Sequence, residues 1–532
     1  MQTPVPARIR LSATHARSRP AGNASPHAAL LAAAVFAALT APIAAQLQFE
    51  ELGQRIPGNS DATSGVAIGD VDGDGDLDLV FGNNYGQQDR LWLNAGDGTF
   101  VDATASHMPA SLDWSSGLAL GDVDGDGDLD LVAARPSRLY LNDGSGIFTS
   151  APVASMPVGN GITPAFGDVD GDGDLDIAFA SNEESFAMPN LLYLNDGLGV
   201  FSDATAMRMP PNGQWGDYTK AVVMGDVDSD GDVDMLCANA PSYQMLWVTN
   251  GLNRLYLNDG SGTFTDATST QMPFQFGDAW SVALADVDGD GDLDAVFGDS
   301  WASRLFVNDG NGWFSDASAL QMPAGNGWNV ALAFADLDGD GDPDLVSGNE
   351  AFLSSPLFAQ NRFYLNDGTG TFQDVTAARL PAAFDNTRGL ALGDLDSDGD
   401  IDLVFGTLGA ENRVYLNLQR QLDAPLAPQI GQPYGLDAYM RYGTSNVANF
   451  AVTYLSTAPD SIATAFGTIG LDLAQAVPFP TMIVPQPTGV GSVGFTVPNT
   501  PSLVGQAIYS QAMLVAYPYD LRLSNVVADV IQ

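Results

Sequence analysis

Nine residues recur seven times along this 532-residue chain, each copy with Asp at positions 1, 3, 5, 7 and 9 and Gly at position 6. The first three copies are Asp70, Asp72, Asp74, Asp76 and Asp78; Asp122, Asp124, Asp126, Asp128 and Asp130; and Asp168, Asp170, Asp172, Asp174 and Asp176. Two more are Asp226, Asp228, Asp230, Asp232 and Asp234, and Asp286, Asp288, Asp290, Asp292 and Asp294. The last two are Asp336, Asp338, Asp340, Asp342 and Asp344, and Asp394, Asp396, Asp398, Asp400 and Asp402. Alternate oxygens on a tightly turned loop suit a hard cation that takes six to eight ligands, and Ca²⁺ at about seven sites is the expectation. Carboxylates at positions 1, 3, 5 and 9 are expected to face inward, position 7 to offer its backbone carbonyl, and the Gly to permit the turn. Without a cation these carboxylates would repel one another; a solvated acidic turn is the plainer alternative. An EF-hand is excluded, because no Glu stands at position 12 and the flanks (Gly65–Gly69, Leu79–Gly82) are short apolar runs that read as strands.

Other chemistry is scarce. His15 and His27 lie in a leader-like N-terminus, so His107 is the only histidine beyond it. Ser-His-Asp triads and multi-His metal sites are thereby poorly served. Lys220 is the only lysine, at what reads as a loop edge, and no phosphate-binding or nucleophile-elbow motif is present. An enzyme would have to rely on carboxylates, Tyr and Arg.

The elements around the loops repeat as well. Successive loops begin 52, 46, 58, 60, 50 and 58 residues apart, a period that signals a propeller or an array. Each unit runs in a fixed order: an apolar run into the Asp loop (Gly117–Gly121), a run out of it (Leu129–Ala133), a third run (Arg138–Asn142), a Gly-rich hairpin turn, and a fourth run around Phe148. Four short strands make one blade. Fourth strands are marked by Phe100, Phe148, Phe201, Phe264, Phe314 and Phe372, six for seven loops. The last unit stops after Arg413–Asn417, and its missing strand has a counterpart in Leu47–Glu51. The expected fold is all-β: a seven-bladed propeller closed by the N-terminal strand, followed by a small β-sandwich-like domain.

The Asp loops, together with strands of the form Leu-Tyr-Leu-Asn-Asp-Gly-x-Gly-x-Phe, resemble the FG-GAP/VCBS repeat family from about Gln46 to Asn417. That family includes the calcium-bearing propeller of integrin α-chains and many secreted bacterial proteins, and the resemblance implies calcium loops on a propeller. Departures are mild: Ser229 and Ser397 replace Gly at position 4, and Pro343 takes position 8 of the sixth loop.

Composition and chain ends bound the rest. Arg8, Arg10, Arg17 and Arg19, an apolar stretch Ala28–Leu39 and Ile43-Ala44-Ala45 read as a signal peptide over residues 1–45. The propeller is expected over 46–420, a linker over 421–432 and a C-terminal all-β domain over 433–532. Secretion, or display at the cell surface, suits calcium. The net charge of −46, with 65 acidic against 19 basic residues, argues against nucleic acid or an anionic membrane as partner. After removal of the leader, no segment could insert in a membrane. Cys237, the only cysteine, follows Met235-Leu236 and reads as a buried small hydrophobe. Pro501–Gly505 before Ile508–Gln511 resembles a C-terminal module of secreted proteins from environmental bacteria.

The Asp loops hardly vary, so discrimination belongs on the opposite face, where strand 2–3 loops and inter-blade connections differ in length. Candidates there are Trp114, Trp215, Asp217, Asp278, Trp280, Trp301 and Trp328, with Asp113, Glu183, Glu184, Glu350 and Glu411 nearby. Tryptophan beside carboxylate can stack on a sugar ring and bond its hydroxyls; plugging gaps between blades is the structural alternative. Three functions compete: an adhesion or recognition module for a glycan or an extracellular protein, a carbohydrate-active lyase or hydrolase built on carboxylates of the same face, and a cell-surface scaffold. The balance leans away from an enzyme.

Overall fold

The computed structural model describes residues 48–532, apart from 54–55, 59, 97, 111–113, 182–188, 212–217, 242–250, 275–277, 326, 352–358, 397–398, 418–421, 424–427, 440–448, 458, 465–466, 472–475, 479–480, 485–489, 517–519 and 524–526. The leader and Leu47 therefore lie outside the described residues, as do Asp113, Glu183, Glu184, Trp215, Asp217, Ser397 and Asp398.

The chain is all-β and propeller-like, and among the described residues it forms seven four-stranded antiparallel sheets before residue 420. Sheet 1 contains Thr63–Gly69, Asp78–Asn83, Arg90–Asn94 and Phe100–Asp102, with an Asp loop between its first two strands. Sheets 2 to 6 repeat this order, with first strands Leu118–Gly121, Gly161–Gly167, Thr219–Gly225, Ala279–Ala285 and Trp328–Ala335. Sheet 7 contains Thr387–Gly393, Asp402–Thr407 and Arg413–Asn417, and its fourth strand is Phe49–Glu51. Phe49 pairs with Asn417 and Glu51 with Tyr415, so the N-terminal strand lies beside the last strand of the repeats, as the sequence suggested, and the structure supplies the register.

The second strands of these sheets are buried along their whole length, as in Asp78–Asn83 and Asp234–Asn239, except at half-buried Glu350, which ends that of sheet 6. That burial explains their continuous apolar runs. First strands touch the first strands of both neighbouring sheets, from sheet 1 through sheet 7 and back to sheet 1. Small residues permit this approach: a Cβ on Gly65 would meet the Gly117 backbone at 3.1 Å, and one on Gly117 would meet the Thr163 backbone at 3.0 Å. Between sheets lie apolar clusters such as Phe81, Trp92 and Phe100 with Val404 and Val414.

Among the described residues, five four-residue helices (Thr104–His107 is the first) follow fourth strands; the sequence reading had no helix there. In the first, Asp102 accepts the Thr104 N–H at 3.0 Å while the Thr104 hydroxyl accepts the Leu91 N–H at 3.0 Å. The recurring Asp-Ala-Thr string was the overlooked signal.

Beyond residue 420, Pro433–Tyr439 pairs with Val490–Thr496, and Asn449–Ser456 with Ala507–Ala516. Tyr434 and Leu436 from the first sheet share one apolar cluster with Ala451, Ala512 and Leu514 from the second. Within the stretch read as a linker, Leu422–Asp423 instead forms a short strand on Pro433–Tyr439. Cys237 is buried, and its Sγ accepts the Asn190 side-chain amide at 3.3 Å. Among the described residues, no helix is long and apolar enough to cross a membrane.

Candidate metal loops and the opposite face

Each Asp loop is built by its own carboxylates. In the first, Asp70 accepts the Gly73 N–H at 2.8 Å with one oxygen and the Gly75 N–H at 3.0 Å with the other. Asp78 accepts the Val71 N–H at 3.0 Å and reaches across to the Asn94 N–H at 2.8 Å. The same four bonds recur in the second, third, fifth and sixth loops. Position 1 thus clamps the turn, and position 9 ties it to the third strand. Gly at position 4 holds φ of 73° in the first loop, a region that favours glycine. Ser229 keeps this conformation at φ 60°. Asp226 Oδ1, the oxygen that position 4 serves in other loops, is buried there without a hydrogen-bond partner among the described residues.

Remaining oxygens converge. Ligand atoms of Asp70, Asp72 and Asp78 lie within 4.8 Å of one another, as do those of Asp226, Asp228 and Asp230, with equivalent groups in the second, third and fifth loops. The position-7 carboxylate is not among the converging groups of the first five loops. It lies over the hairpin turn between strands three and four, where a Cβ on Gly96 would collide with Asp76 and one on Gly144 with Asp128. Its backbone carbonyl is then the group it can offer.

Position 3 is covered by the next sheet: a Cβ on Gly146 would sit 3.2 Å from the Cβ of Asp72. Burial, and then repulsion from position 5, pushes Asp72, Asp124, Asp228 and Asp288 above the ordinary carboxylate range. Burial likewise drives Asp78, Asp176, Asp234, Asp294 and Asp344 up to about 7 and Asp130 to about 6, against the pull of their backbone hydrogen bonds. One oxygen each of Asp124, Asp170, Asp228 and Asp288 is buried without a hydrogen-bond partner. Crowded, desolvated carboxylates with unused oxygens are what a divalent cation would satisfy, so the residues fit calcium. Pro343 leaves the sixth loop intact, since Leu337 still donates to Asp344 at 3.0 Å.

Among the described residues, cavities on the opposite face include two of similar size. One, of about 930 Å³, lies where sheets 4 and 5 meet and is lined by Asp278, Asp299, Ser300, Trp301, Arg304 and Asp316 among others. Trp301 is 61 % exposed. Asp299 is buried, bonded to Arg304 at 2.7 Å through Oδ2, while its Oδ1 has no partner among the described residues. Burial lifts Asp299 to about 6; Arg304 opposes this and Asp278 adds to it.

The second cavity, about 920 Å³, is walled by the Asp-loop-distal halves of first strands from all seven sheets. Trp114, 47 % exposed, stands at its rim, edge-to-face with Tyr85 at 5.8 Å. Trp280 and Trp328 are half-buried and edge-to-face at 4.7 Å, and Trp280 donates to Asp278 at 3.0 Å. Glu350 bonds Arg388 at 2.9 Å, and Glu411 is exposed. Of the predicted ligand residues, Asp278 and Trp301 share the first cavity and Trp114 and Trp280 the second. Lys220, read as a loop-edge residue, belongs to a first strand and lines the second cavity. Asp299, Arg304, Arg135 and Arg388 had no signal in the sequence, because their convergence depends on which sheets become neighbours.

A profile described as FG-GAP-like repeat matches residues 70–133, 134–179, 168–237, 244–297, 286–347 and 350–405. A comparison with curated proteins gives no match. Among solved structures, the chain is similar to a lectin of Agrocybe aegerita described as specifically recognising non-reducing terminal N-acetylglucosamine, at 18% identity and TM-score 0.40, covering 68% of this chain and 100% of the lectin. It is also similar to the Tc holotoxin pore of Photorhabdus luminescens, at 14% identity and TM-score 0.33, covering 87% of this chain and 20% of that one.

Proposed function

As this chain belongs to the FG-GAP-like repeat family, we propose that it is an exported recognition module, a closed seven-bladed propeller stiffened by calcium, which binds a glycan on the face opposite the Asp loops. Closure is supported by the N-terminal strand on Arg413–Asn417 and by first strands that touch in an unbroken circle. A closed ring leaves no open sheet edge between its blades. Export after residue 45 accords with the basic and apolar leader and with loops that need a calcium-rich compartment.

The observation that carries the glycan reading is Trp301, an exposed indole on the wall of a cavity that also holds the partnerless Asp299 Oδ1. An indole face stacks on the apolar side of a pyranose, and a carboxylate accepts its hydroxyls. A glycan array probed with the mature protein, in calcium and in chelator, tests this. We expect binding in calcium that Trp301→Ala abolishes without moving the melting temperature. Retained binding in Trp301→Ala, or an array with no binder, would refute the reading; capture of protein ligands only would shift it to an extracellular protein.

One observation favours a second reading, a carbohydrate-active enzyme. Asp299 is raised to about 6 beside Asp278 and Arg304 in the same cavity, and a carboxyl whose pKa is lifted toward neutrality can serve as a general acid. Cleavage of a bound saccharide that is lost in Asp299→Asn, with binding retained, would establish it.

A further inference from the structure

The Asp loops repeat almost without variation, but one residue beside them does not. Where two sheets meet, the position-3 aspartate of a loop and the last residue of the adjoining four-residue helix converge on the hairpin of the following sheet. A Cβ on hairpin Gly262 would sit 3.3 Å from both the Asp170 Cβ and Arg208 Nη1. One on Gly312 would meet Asp228 and Gln271, and one on Gly370 would meet Asp288 and Gln321. The helix-end place thus holds His107 beside the first loop, Arg208 beside the third, Gln271 and Gln321 beside the fourth and fifth, and Arg379 beside the sixth. Arg55, which precedes Ile56-Pro57 as Arg379 precedes Leu380-Pro381, lies outside the described residues.

The glutamines and Arg379 spend their donors differently. Gln271 donates to the Asn311 carbonyl at 3.1 Å and Gln321 to the Thr369 carbonyl at 2.9 Å, both in the hairpin. Arg379 instead donates to Asp338, the position-3 carboxylate, at 3.3 Å and to Gln48 at 2.8 Å. Gln48 in turn donates to the Leu337 carbonyl at 2.5 Å and to Asn417 at 3.1 Å. Protein groups alone therefore tie the sixth loop to the N-terminal strand. Burial and then Asp340 push Asp338 above the ordinary carboxylate range while Arg379 pulls it down; burial and Asp172 push Asp170 up, and Arg208 opposes them. For Asp228 and Asp288 the opposing pull is a backbone hydrogen bond.

We propose that Arg208 and Arg379 set the third and sixth loops apart as weaker calcium sites, each guanidinium opposing the ion at its position-3 carboxylate and offsetting that carboxylate when calcium is scarce. The proposal rests on the reading of the Asp loops as calcium sites. A fixed positive charge beside a divalent ion lowers its affinity by about tenfold even at the dielectric of water. Loops that adjoin a glutamine carry no such opposition. As calcium falls, the fourth and fifth loops should lose a support that the third and sixth replace in part with arginine.

The test is calorimetric titration of the calcium-depleted mature full chain with Ca²⁺ at low salt, alongside melting curves in chelator. The unaltered chain should show two affinity classes about tenfold apart. Arg208→Gln and Arg379→Gln should each move one site from the weaker class to the tighter one. Arg379→Lys, which keeps the charge, should move none, and Gln321→Arg should shift one tight site to the weaker class. High salt should narrow the gap. In chelator Arg379→Gln should melt below the unaltered chain, and calcium should raise its melting temperature by more. A single affinity class, or isotherms that neither the arginine variants nor Gln321→Arg alter, would overturn the proposal. So would loss of a site in either arginine variant, which would make the guanidinium a support for the ion. Absence of calcium uptake at every loop would sink the parent reading as well.

Discussion

The side-chain amide of Asn94 donates to the backbone carbonyl of Leu395, 2.7 Å away and 301 residues distant in sequence. Leu395 is position 2 of the seventh Asp loop, so this bond joins sheet 1 to sheet 7. Six equivalents follow: Asn142 to Val71, Asn195 to Val123, Asn258 to Val169, Asn308 to Val227, Asn366 to Val287 and Asn417 to Leu337, at 2.7–2.9 Å. Each third strand thereby satisfies a buried loop carbonyl of the preceding sheet. Asp loop and sheet boundary form one hydrogen-bonded unit, and ordering a loop should stiffen the junction beside it.

Asn94→Ala and Asn142→Ala should therefore destabilise the protein alike, by about 1–3 kcal/mol each, because each strands a buried carbonyl. Denaturant midpoints measure this. A loss for Asn142→Ala with none for Asn94→Ala would mean that the seam between sheets 1 and 7 is open in solution.

The N-terminal strand gives a second test of the seam. Phe49 is 1 % exposed and meets Phe363 edge-to-face at 5.5 Å, while Gln48 accepts the Arg379 guanidinium at 2.8 Å. Phe49→Ala should cost about 3–5 kcal/mol. A change below about 1 kcal/mol, well short of that range, would show that the strand does not hold sheet 7.

What could be read in advance divides along physical lines. The Asp loops, the four-strand unit and the placing of Leu47–Glu51 beside the strand of Tyr415 were legible because spacing and repetition encode local geometry. Val71 and Asn142 were visible as repeated residues, yet their bond depends on which sheets become neighbours. The same holds for Gly146 against Asp72, and for Arg135 and Lys220, whose sequence positions gave no hint of a shared cavity. Trp280 and Trp328 read as stacking platforms; the structure sets them against each other, and Lys220 covers a face of Trp280.

Calcium and pH should be linked through the loops. The carboxyls of Asp78, Asp176, Asp234, Asp294 and Asp344 stand at about 7 in the cation-free fold, above the ordinary 3.8. The folded state then holds these protons more tightly than the unfolded chain. Its stability is greatest in acid and is lost as pH rises from about 4 through about 7. A bound divalent cation reverses this by favouring the ionised form. In cation-free buffer the melting temperature should fall between pH 5 and 8, and calcium should restore it most at the upper end. At tenfold excess over Kd, each occupied loop adds about 1.4 kcal/mol. A cation-free melting temperature that rises across this range would contradict the account, as would one that calcium leaves unmoved at pH 8.

The tryptophans should separate by burial. Trp301 is exposed on the cavity between sheets 4 and 5, so Trp301→Ala should leave the melting temperature within about 1–2 °C, as expected for a surface change of under 0.5 kcal/mol in a domain of this size. Trp280→Ala removes an indole that packs on Trp328, carries Lys220 and donates to Asp278. It should lower stability by roughly 2–4 kcal/mol, since a half-buried aromatic loses part of the value of a fully buried one. The discriminating measurement pairs glycan binding with unfolding for both variants. Loss of binding without loss of stability in Trp301→Ala, and loss of stability in Trp280→Ala, is the expected pattern. The reverse would move the ligand from the cavity between the sheets to the second cavity.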